Sequence, residues 1–539
     1  MKRFLSLLSV ALVLTLVCKA VLPGAFINKT VQVAGGSPPF AGNIKAWWDN
    51  RTADFSATGT AGFVSTWTDR VGGFLLTRSG LSRPRLITAG ANNLDFSVDW
   101  LIAGTFTSGT FTDGEAVLQT TSAATAYANG AQSSGGTFRI VGYENLGADS
   151  SSTWVGQSSG AIFTPGGPPT QQAASRYMDI AASGSTFTWD RQASSIFIVQ
   201  RRPAASSGTV GNTALATVGI WHMGTSGSSD GLYYSTQQLT YVNGTTNSTG
   251  FRGCDNIETL YRVAGTSQVL LGIGKQSTTV SAAAAGTLTG GYLGNWDTLA
   301  FPIDVGSVLG VLVYNRELTS GEVASVQTFI ESYYGGETST YDKMVVMDGD
   351  STTRGVGSGN LHYYGWPDQM ARLFTNQPRY SKVAQGGQFA ADAAFKAGTR
   401  TTDQLAWGST YGTRTVTLLI GINDIATGGS SAATLEANIT TWATAVRAAD
   451  AGVKILGITI LPYSALTGPQ DTIRTTVNTW ILGGGGGVYD YTYDAANATN
   501  LTDSTNTTYY SADHLHPTAA GYAIIASGVK AVLVSNSRL

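Results

Sequence analysis

The sequence predicts a multidomain chain: an all-β jelly-roll sandwich over residues 41–335, then a parallel α/β sandwich over 341–539. Length is the first sign, since 539 residues exceed one ordinary domain. The second is texture. In 41–335, short apolar stretches alternate with Gly- and Ser-rich ones and few helical patterns appear, as in antiparallel β folds. The third is a change of period after residue 340, where continuous apolar runs alternate with helically spaced apolar residues.

The chain begins with a targeting pattern. Lys2-Arg3 precedes the apolar run Phe4 to Val17, and Cys18-Lys19-Ala20 offers a cleavage site, so residues 1–20 read as a signal peptide. The run is shorter than the ~20 residues that span a bilayer, and no later segment is long and apolar enough to span one. A secreted or periplasmic protein is expected, with a phage particle as the alternative, in which case the apolar start is an assembly segment. Residues 21–40, with Pro23-Gly24, Gly35-Gly36 and Pro38-Pro39, read as a linker. Signal removal leaves Cys254 alone, without an intramolecular disulfide and best read as a small buried hydrophobe. Sequons at Asn243, Asn438, Asn497 and Asn506 arise by chance in so Ser/Thr/Asn-rich a chain. With 12% charged and 42% hydrophobic residues, disorder and coiled coil are excluded. A net charge of −2 without a basic run beyond Lys2-Arg3 argues against nucleic acid and anionic membranes as partners.

Within 41–335, Ser195 to Val199, Gln268 to Leu271 and Gly310 to Tyr314 are strand candidates. Thr319-Ser320-Gly321-Glu322 fits a capping box, in which a hydroxyl and a carboxylate satisfy free N–H groups at a helix start. Val323, Val326, Ile330 and Tyr333 then share one helix face, Gly335-Gly336 ends it, and Glu337 to Thr340 reads as a polar connector at the domain boundary. The two ends resemble concanavalin A-like or laminin-G-like jelly rolls: Ala46-Trp47-Trp48-Asp49 with Trp67-Thr68-Asp69-Arg70, and Tyr314 to Thr319 with the capped helix. The region is long for one sandwich, which leaves an inserted or second β module open.

In 341–539, strands are predicted at Lys343–Asp348, Thr415–Ile420 and Lys454–Ile460. Helices are predicted at Trp366–Leu373, over Leu435-Ile439-Trp442-Val446, over Ile473-Val477-Trp480, and from Thr518 to Val534, with Pro517 at the start of the last. In parallel sheets, sites form at the carboxyl ends of strands. Gly349-Asp350-Ser351 and Gly421-Ile422-Asn423-Asp424 each follow such an end.

A serine hydroxyl needs a base before it can attack. The chain has four histidines, His222, His362, His514 and His516, and two lie in Asp513-His514-Leu515-His516-Pro517. Asp513 stands three residues before His516 and can hold the ring nitrogen facing away from a serine, which favours His516 over His514 as base. Oxyanion donors are available from the Ser351 N–H, from Gly386 or Gly387 in Val383-Ala384-Gln385-Gly386-Gly387-Gln388, and from the Asn423 amide. Asp350 and Asp424 read as structural hydrogen-bond groups. No metal-ligand cluster is visible, and Gly483 to Gly487 lacks the Lys-Ser/Thr of a phosphate loop and reads as a flexible loop, so neither metal nor cofactor is expected.

Taken together, these blocks resemble the SGNH, or GDSL, hydrolase family over 341–539. The resemblance implies a three-layer α/β/α fold with a parallel sheet and ester hydrolysis. It implies Ser351, Asp513 and His516 as the catalytic set, and Ser351, Gly387 and Asn423 as the oxyanion hole. Two departures are Thr352 where Leu is common and Ser381-Lys382 where the family has an upstream Asn. The leading expectation is a secreted esterase removing O-acetyl or similar short acyl groups from a carbohydrate, the carbohydrate entering by analogy with the first domain. The alternatives are a lipid or aryl-ester hydrolase and a non-catalytic adhesion or phage-particle component. Trp48, Trp67, Trp154 and Trp189 are candidates for sugar stacking, though core placement is favoured. Oligomeric state is not legible.

Overall fold

The structure is a computed structural model. It describes residues 37–539 except 51–53, 59–61, 79–82, 88–92, 96–98, 121–124, 142–151, 173–177, 181–186, 202–216, 224–229, 236–237, 243–245, 253–255, 284, 295–306, 338–339, 360–362 and 397–399. The proposed signal segment, most of the linker, Cys254 and His362 lie outside the described residues.

The first region is built of antiparallel strands. Its centre is Ser194–Arg201, paired on one side with Ile257–Ala264 and on the other with Ser307–Tyr314. Every residue of Ser194–Arg201 but the last is buried, because both faces are covered. Ile196 and Ile198 face a core with Trp48, Trp67, Trp189 and Trp221. Phe197 and Val199 face the helix Ser320–Tyr334 through Val323, Val326 and Ile330. The predicted capping box is present, with Glu322 Oε2 accepting from the Thr319 N–H at 2.9 Å. Opening and closing segments meet: Ile44–Trp48 pairs with Ser307–Tyr314, and Asp49 accepts hydrogen bonds from the Tyr333 and Tyr334 hydroxyls.

The open question of a second β module has a structural answer. Asp99–Ser108 pairs with Thr137–Val141, then in turn come Thr125–Ala128, Ala116–Gln119, Trp154–Gly156 and Ile162–Pro165, which pairs back with Asp99–Ser108. The ring closes around its own core of Ile102, Phe111, Phe138, Ile140, Trp154 and Phe163. Among the described residues, each of the six strands therefore pairs on both sides, and Thr170–Gln172 adds a seventh strand against Asp99–Ser108.

The second region holds a five-stranded, all-parallel sheet. Its strands, numbered within this region, are β1 (Lys343–Gly349), β2 (Arg379–Lys382), β3 (Thr413–Leu419), β4 (Lys454–Ile458) and β5 (Tyr491–Tyr493), in the order β2-β1-β3-β4-β5. Its longer helices are α1 (Trp366–Arg372), α2 (Ala390–Lys396), α3 (Thr401–Trp407), α4 (Ala432–Ala449), α5 (Gly468–Leu482) and α6 (Ala519–Ser535). Alternate residues of β1 feed opposite layers. Met344 and Val346 pack with Leu435, Ile439 and Trp442 of α4, whereas Val345 and Met347 pack with Met370 of α1 and Ile525 and Val529 of α6. Each such fully buried side chain is worth roughly 1.5–3 kcal/mol. The order reverses between β1 and β3, and doubly wound sheets bind ligands at that switch point.

Four local features go beyond or depart from what the sequence pattern shows. Strand β2 was not foreseen, because Arg379-Tyr380-Ser381-Lys382 is polar, yet all four are buried. Arg379 meets Glu337 at 3.0 Å and Glu258 at 3.5 Å, and Lys382 meets Asp368 at 3.0 Å. Glu337, which opens the polar connector, is buried against Arg379 and Tyr411. Pro517 lies before the α6 N-cap, Thr518, rather than in the helix. The glycine run is a hydrogen-bonded turn, Gly487 and Tyr489 N–H both bonding the Gly484 carbonyl.

Candidate active site

Ser351 sits where β1 stops. Gly349 has φ +150°, and a Cβ there would lie 2.3 Å from the Leu419 carbonyl at the end of β3, so only glycine lets the two strand ends approach. Asp350 is extended and accepts from the Thr352 N–H at 2.9 Å, capping the short helix Ser351–Arg354. This places Ser351 in the first turn, where N–H groups have no acceptor within the helix. Burial pushes the Asp350 carboxyl up to about 6, and the Thr352 N–H only partly offsets it. Asp350 is thus a structural hydrogen-bond group, here as a helix cap.

His516 is brought to this serine from a tight turn before α6. Asp513 Oδ1 accepts from the Leu515 and His516 N–H groups, each at 3.0 Å, and from the Ser511 hydroxyl at 2.6 Å. Its Oδ2 is 2.5 Å from His516 Nδ1, and His516 Nε2 is 2.7 Å from Ser351 Oγ. A carboxylate opposite Nδ1 assigns the proton to that nitrogen and leaves the Nε2 lone pair toward the hydroxyl. Burial raises the Asp513 carboxyl, but the bonds and charge from His516 and the Ser511 bond outweigh it, holding it well below the usual range and ionised. His514 points elsewhere: it has φ +55°, and its Nδ1 is 3.1 Å from the Ser504 carbonyl. His222 is buried in the first region, stacked on Tyr292.

Two links hold the halves together. Tyr522 of α6 donates to the Val356 carbonyl at 2.7 Å, and the Val356 N–H bonds the Ser351 carbonyl. Gly357 lies against His516, since a Cβ there would come within 2.7 Å of the imidazole-bearing Cβ.

Asn423 follows β3 in the short helix Ile422–Ala426. Its Nδ2 donates to the Gln388 carbonyl at 3.1 Å, which uses one of two amide N–H groups and leaves the other. Asp424 is buried, its carboxyl pushed up to about 6 by burial, and both its oxygens accept from the Ala390 N–H at the start of α2. Gly387 is exposed at the tip of its loop with φ +71°, and nothing lies where a Cβ would project.

Asp348, Gln388, Arg400 and Tyr522 were given no role from the sequence. Asp348 offered a signal: a carboxylate closing an apolar strand demands buried donors. It finds the Gly349 N–H, Arg400, Thr401 and the Trp442 indole, at 2.6 to 2.9 Å. The four tryptophans weighed for sugar stacking, Trp48, Trp67, Trp154 and Trp189, are all core, at most 1% exposed. Among the described residues, no group of His, Cys, Asp and Glu could hold a metal, and no helix is long and apolar enough to cross a membrane.

Residues 349–524 match the model of the GDSL-like lipase/acylhydrolase family. No curated protein matches the chain. Similar solved structures include a member of the lipolytic protein G-D-S-L family from Veillonella parvula, at 19% identity over 36% of this chain and 100% of that one, TM-score 0.29. A carbohydrate esterase family 3 protein from Talaromyces cellulolyticus matches at 20% identity over 36% and 97%, TM-score 0.28. A lipase/acylhydrolase from Enterococcus faecalis matches at 14% identity over 36% and 96%, TM-score 0.30. Ser351, Asn423, Asp513 and His516 all fall within the matched residues: this part of the chain is a GDSL-like lipase/acylhydrolase domain, and the protein is an ester hydrolase.

Proposed function

We propose that the protein is a secreted serine esterase that removes acetyl or similar short acyl groups from a carbohydrate through an acyl-enzyme. The observation that carries the catalytic part is the hydrogen-bond chain Asp513–His516–Ser351 at 2.5 and 2.7 Å. Ser351 Oγ attacks the ester carbonyl as His516 Nε2 takes its proton. The Ser351 N–H, the Gly387 N–H and the Asn423 amide stabilise the oxyanion, and ionised Asp513 stabilises the imidazolium. His516 then protonates the leaving alcohol oxygen. Water, deprotonated by the same nitrogen, releases the acid and restores the serine.

The carbohydrate part is supported by the resemblance of residues 41–335 to concanavalin A-like or laminin-G-like jelly rolls, and we keep that jelly-roll reading as part of the proposal. Buried tryptophans remove one support, so any glycan contact falls to other residues of that domain. Secretion is supported by the basic and apolar pattern of residues 1–20.

A panel of acetylated polysaccharides beside 4-nitrophenyl esters of rising chain length tests the substrate class. The proposal expects acetyl esters to give the highest kcat/KM and acetate to be released from at least one polysaccharide. Rates that climb with acyl length, without polysaccharide deacetylation, would make the enzyme a lipid or aryl-ester hydrolase instead.

A further inference from the structure

Two candidate oxyanion donors, far apart in sequence, depend on one residue. Gln388 follows Gly387 directly, and its carbonyl receives the Asn423 amide at 3.1 Å. Its side chain is 2% exposed and faces inward, with Oε1 accepting from Arg400 Nη1 at 2.7 Å. Arg400 is 4% exposed, and its Nη2 donates to Asp348 Oδ1 at 2.9 Å. Asp348 in turn precedes Gly349-Asp350-Ser351 and is gripped by Thr401 and Trp442. A continuous buried path therefore runs from the end of the nucleophile's strand, through a guanidinium, to the loop that carries Gly387 and holds Asn423. The same loop is tied at its start by the Gln385 N–H to the Gly349 carbonyl at 3.1 Å, and just past Gln388 by Asp424 to the Ala390 N–H.

We infer that Gln388, anchored by Arg400 to Asp348, is a positioning residue that sets the Gly387 and Asn423 donors against Ser351. Carbonyl oxygen moves as it becomes an oxyanion, and donors stabilise it only if held where it will be. A guanidinium fork fixes an amide and a carboxylate in one plane, which a flexible ammonium does not. The inference rests on the proposed donor roles of Asn423 and Gly387.

Gln388→Met tests it in the full-length enzyme with 4-nitrophenyl acetate. The change keeps length and volume, removes the acceptor for Arg400, and leaves the Arg400–Asp348 pair in place. Loss of one oxyanion donor typically costs about 10²–10³ in turnover, so Asn423→Ala should fall in that range. Gln388→Met should lower kcat by about tenfold, a fraction of that donor loss, with KM unchanged within about twofold. In an Asn423→Ala background its further effect should shrink to about threefold or less, because the two changes act on one unit. Gln388→Glu, which keeps an acceptor for Arg400, should restore most of kcat. Urea midpoints and far-UV circular dichroism show that each variant is folded.

A full kcat in Gln388→Met, an equal penalty in both backgrounds, or a Gln388→Glu as impaired as Gln388→Met would each overturn the inference while leaving the donor reading intact. A normal kcat in Asn423→Ala would overturn the donor reading itself, and the inference with it.

Discussion

The clusters around Ser351 and around Arg379 both rest on the parallel sheet, and they differ in what they leave open. At the carboxyl ends of β1 and β3, the hydroxyl of Ser351 meets the His516 ring and the Asn423 amide keeps a spare donor. At the edge strand β2, the groups close on one another: Arg379 on Glu258 and Glu337, Tyr411 on Glu337, and Tyr380 on Asn256 and Asp368. Asn256 both accepts from the Tyr380 N–H and donates to the Pro378 carbonyl, so the first region covers the edge of the hydrolase sheet as a further strand would.

The comparison breaks first at His516. Removing one member of a triad costs nearly as much as removing all of them, so His516→Ala should lower kcat by about 10⁴-fold or more. His514→Ala, whose ring faces Ser504, should stay within about tenfold, as expected of a group outside the unit. Steady-state assays on a short ester separate the two, and the reverse ranking would reassign the base.

Arg379→Met should act on stability instead. It removes the cation that faces two buried carboxylates, Glu258 and Glu337, and breaking a buried ion pair typically costs about 3–5 kcal/mol. Urea denaturation should show that loss, while kcat below the transition stays near wild type. Unchanged stability would mean that water already reaches the junction. Low turnover in folded protein would mean that the junction shapes the site.

A smaller effect separates charge from geometry at Asp350. Its folded value is raised to about 6 by burial. Its contribution to stability is therefore fully present below its unfolded value near 4 and is lost as pH rises through about 6. Asp350→Asn keeps an acceptor for the Thr352 N–H without a titrating charge. Relative to wild type, it should gain up to about 2 kcal/mol between pH 4 and 7. A stability difference that does not vary with pH would show that Asp350 does not titrate there.

The sequence made the site more legible than the junction for a physical reason. Ser351, Asn423 and the Asp513–His516 pair each lie in a short local motif whose spacing reflects a turn. The α/β alternation was readable because β1 and β4 are largely apolar runs and β3 ends in one, with Val416, Leu418 and Leu419 buried. Strand β2 is buried by ion pairs and hydrogen bonds with residues up to 124 positions away, so its polar sequence gave no strand signal. The Arg400–Gln388 contact was hidden similarly, because its meaning depends on Asp348, 52 residues earlier. In the first region, cores and caps were legible but the closed barrel was not, since closure depends on pairing between distant short strands.

The most direct test of the central claim is covalent labelling of the resting enzyme with a small alkyl fluorophosphonate, followed by peptide mass spectrometry. The account predicts one stoichiometric adduct on Ser351, abolished in Ser351→Ala and slowed in His516→Ala in proportion to the loss of kcat/KM. An adduct on another serine, or labelling of Ser351 at the wild-type rate without His516, would contradict it.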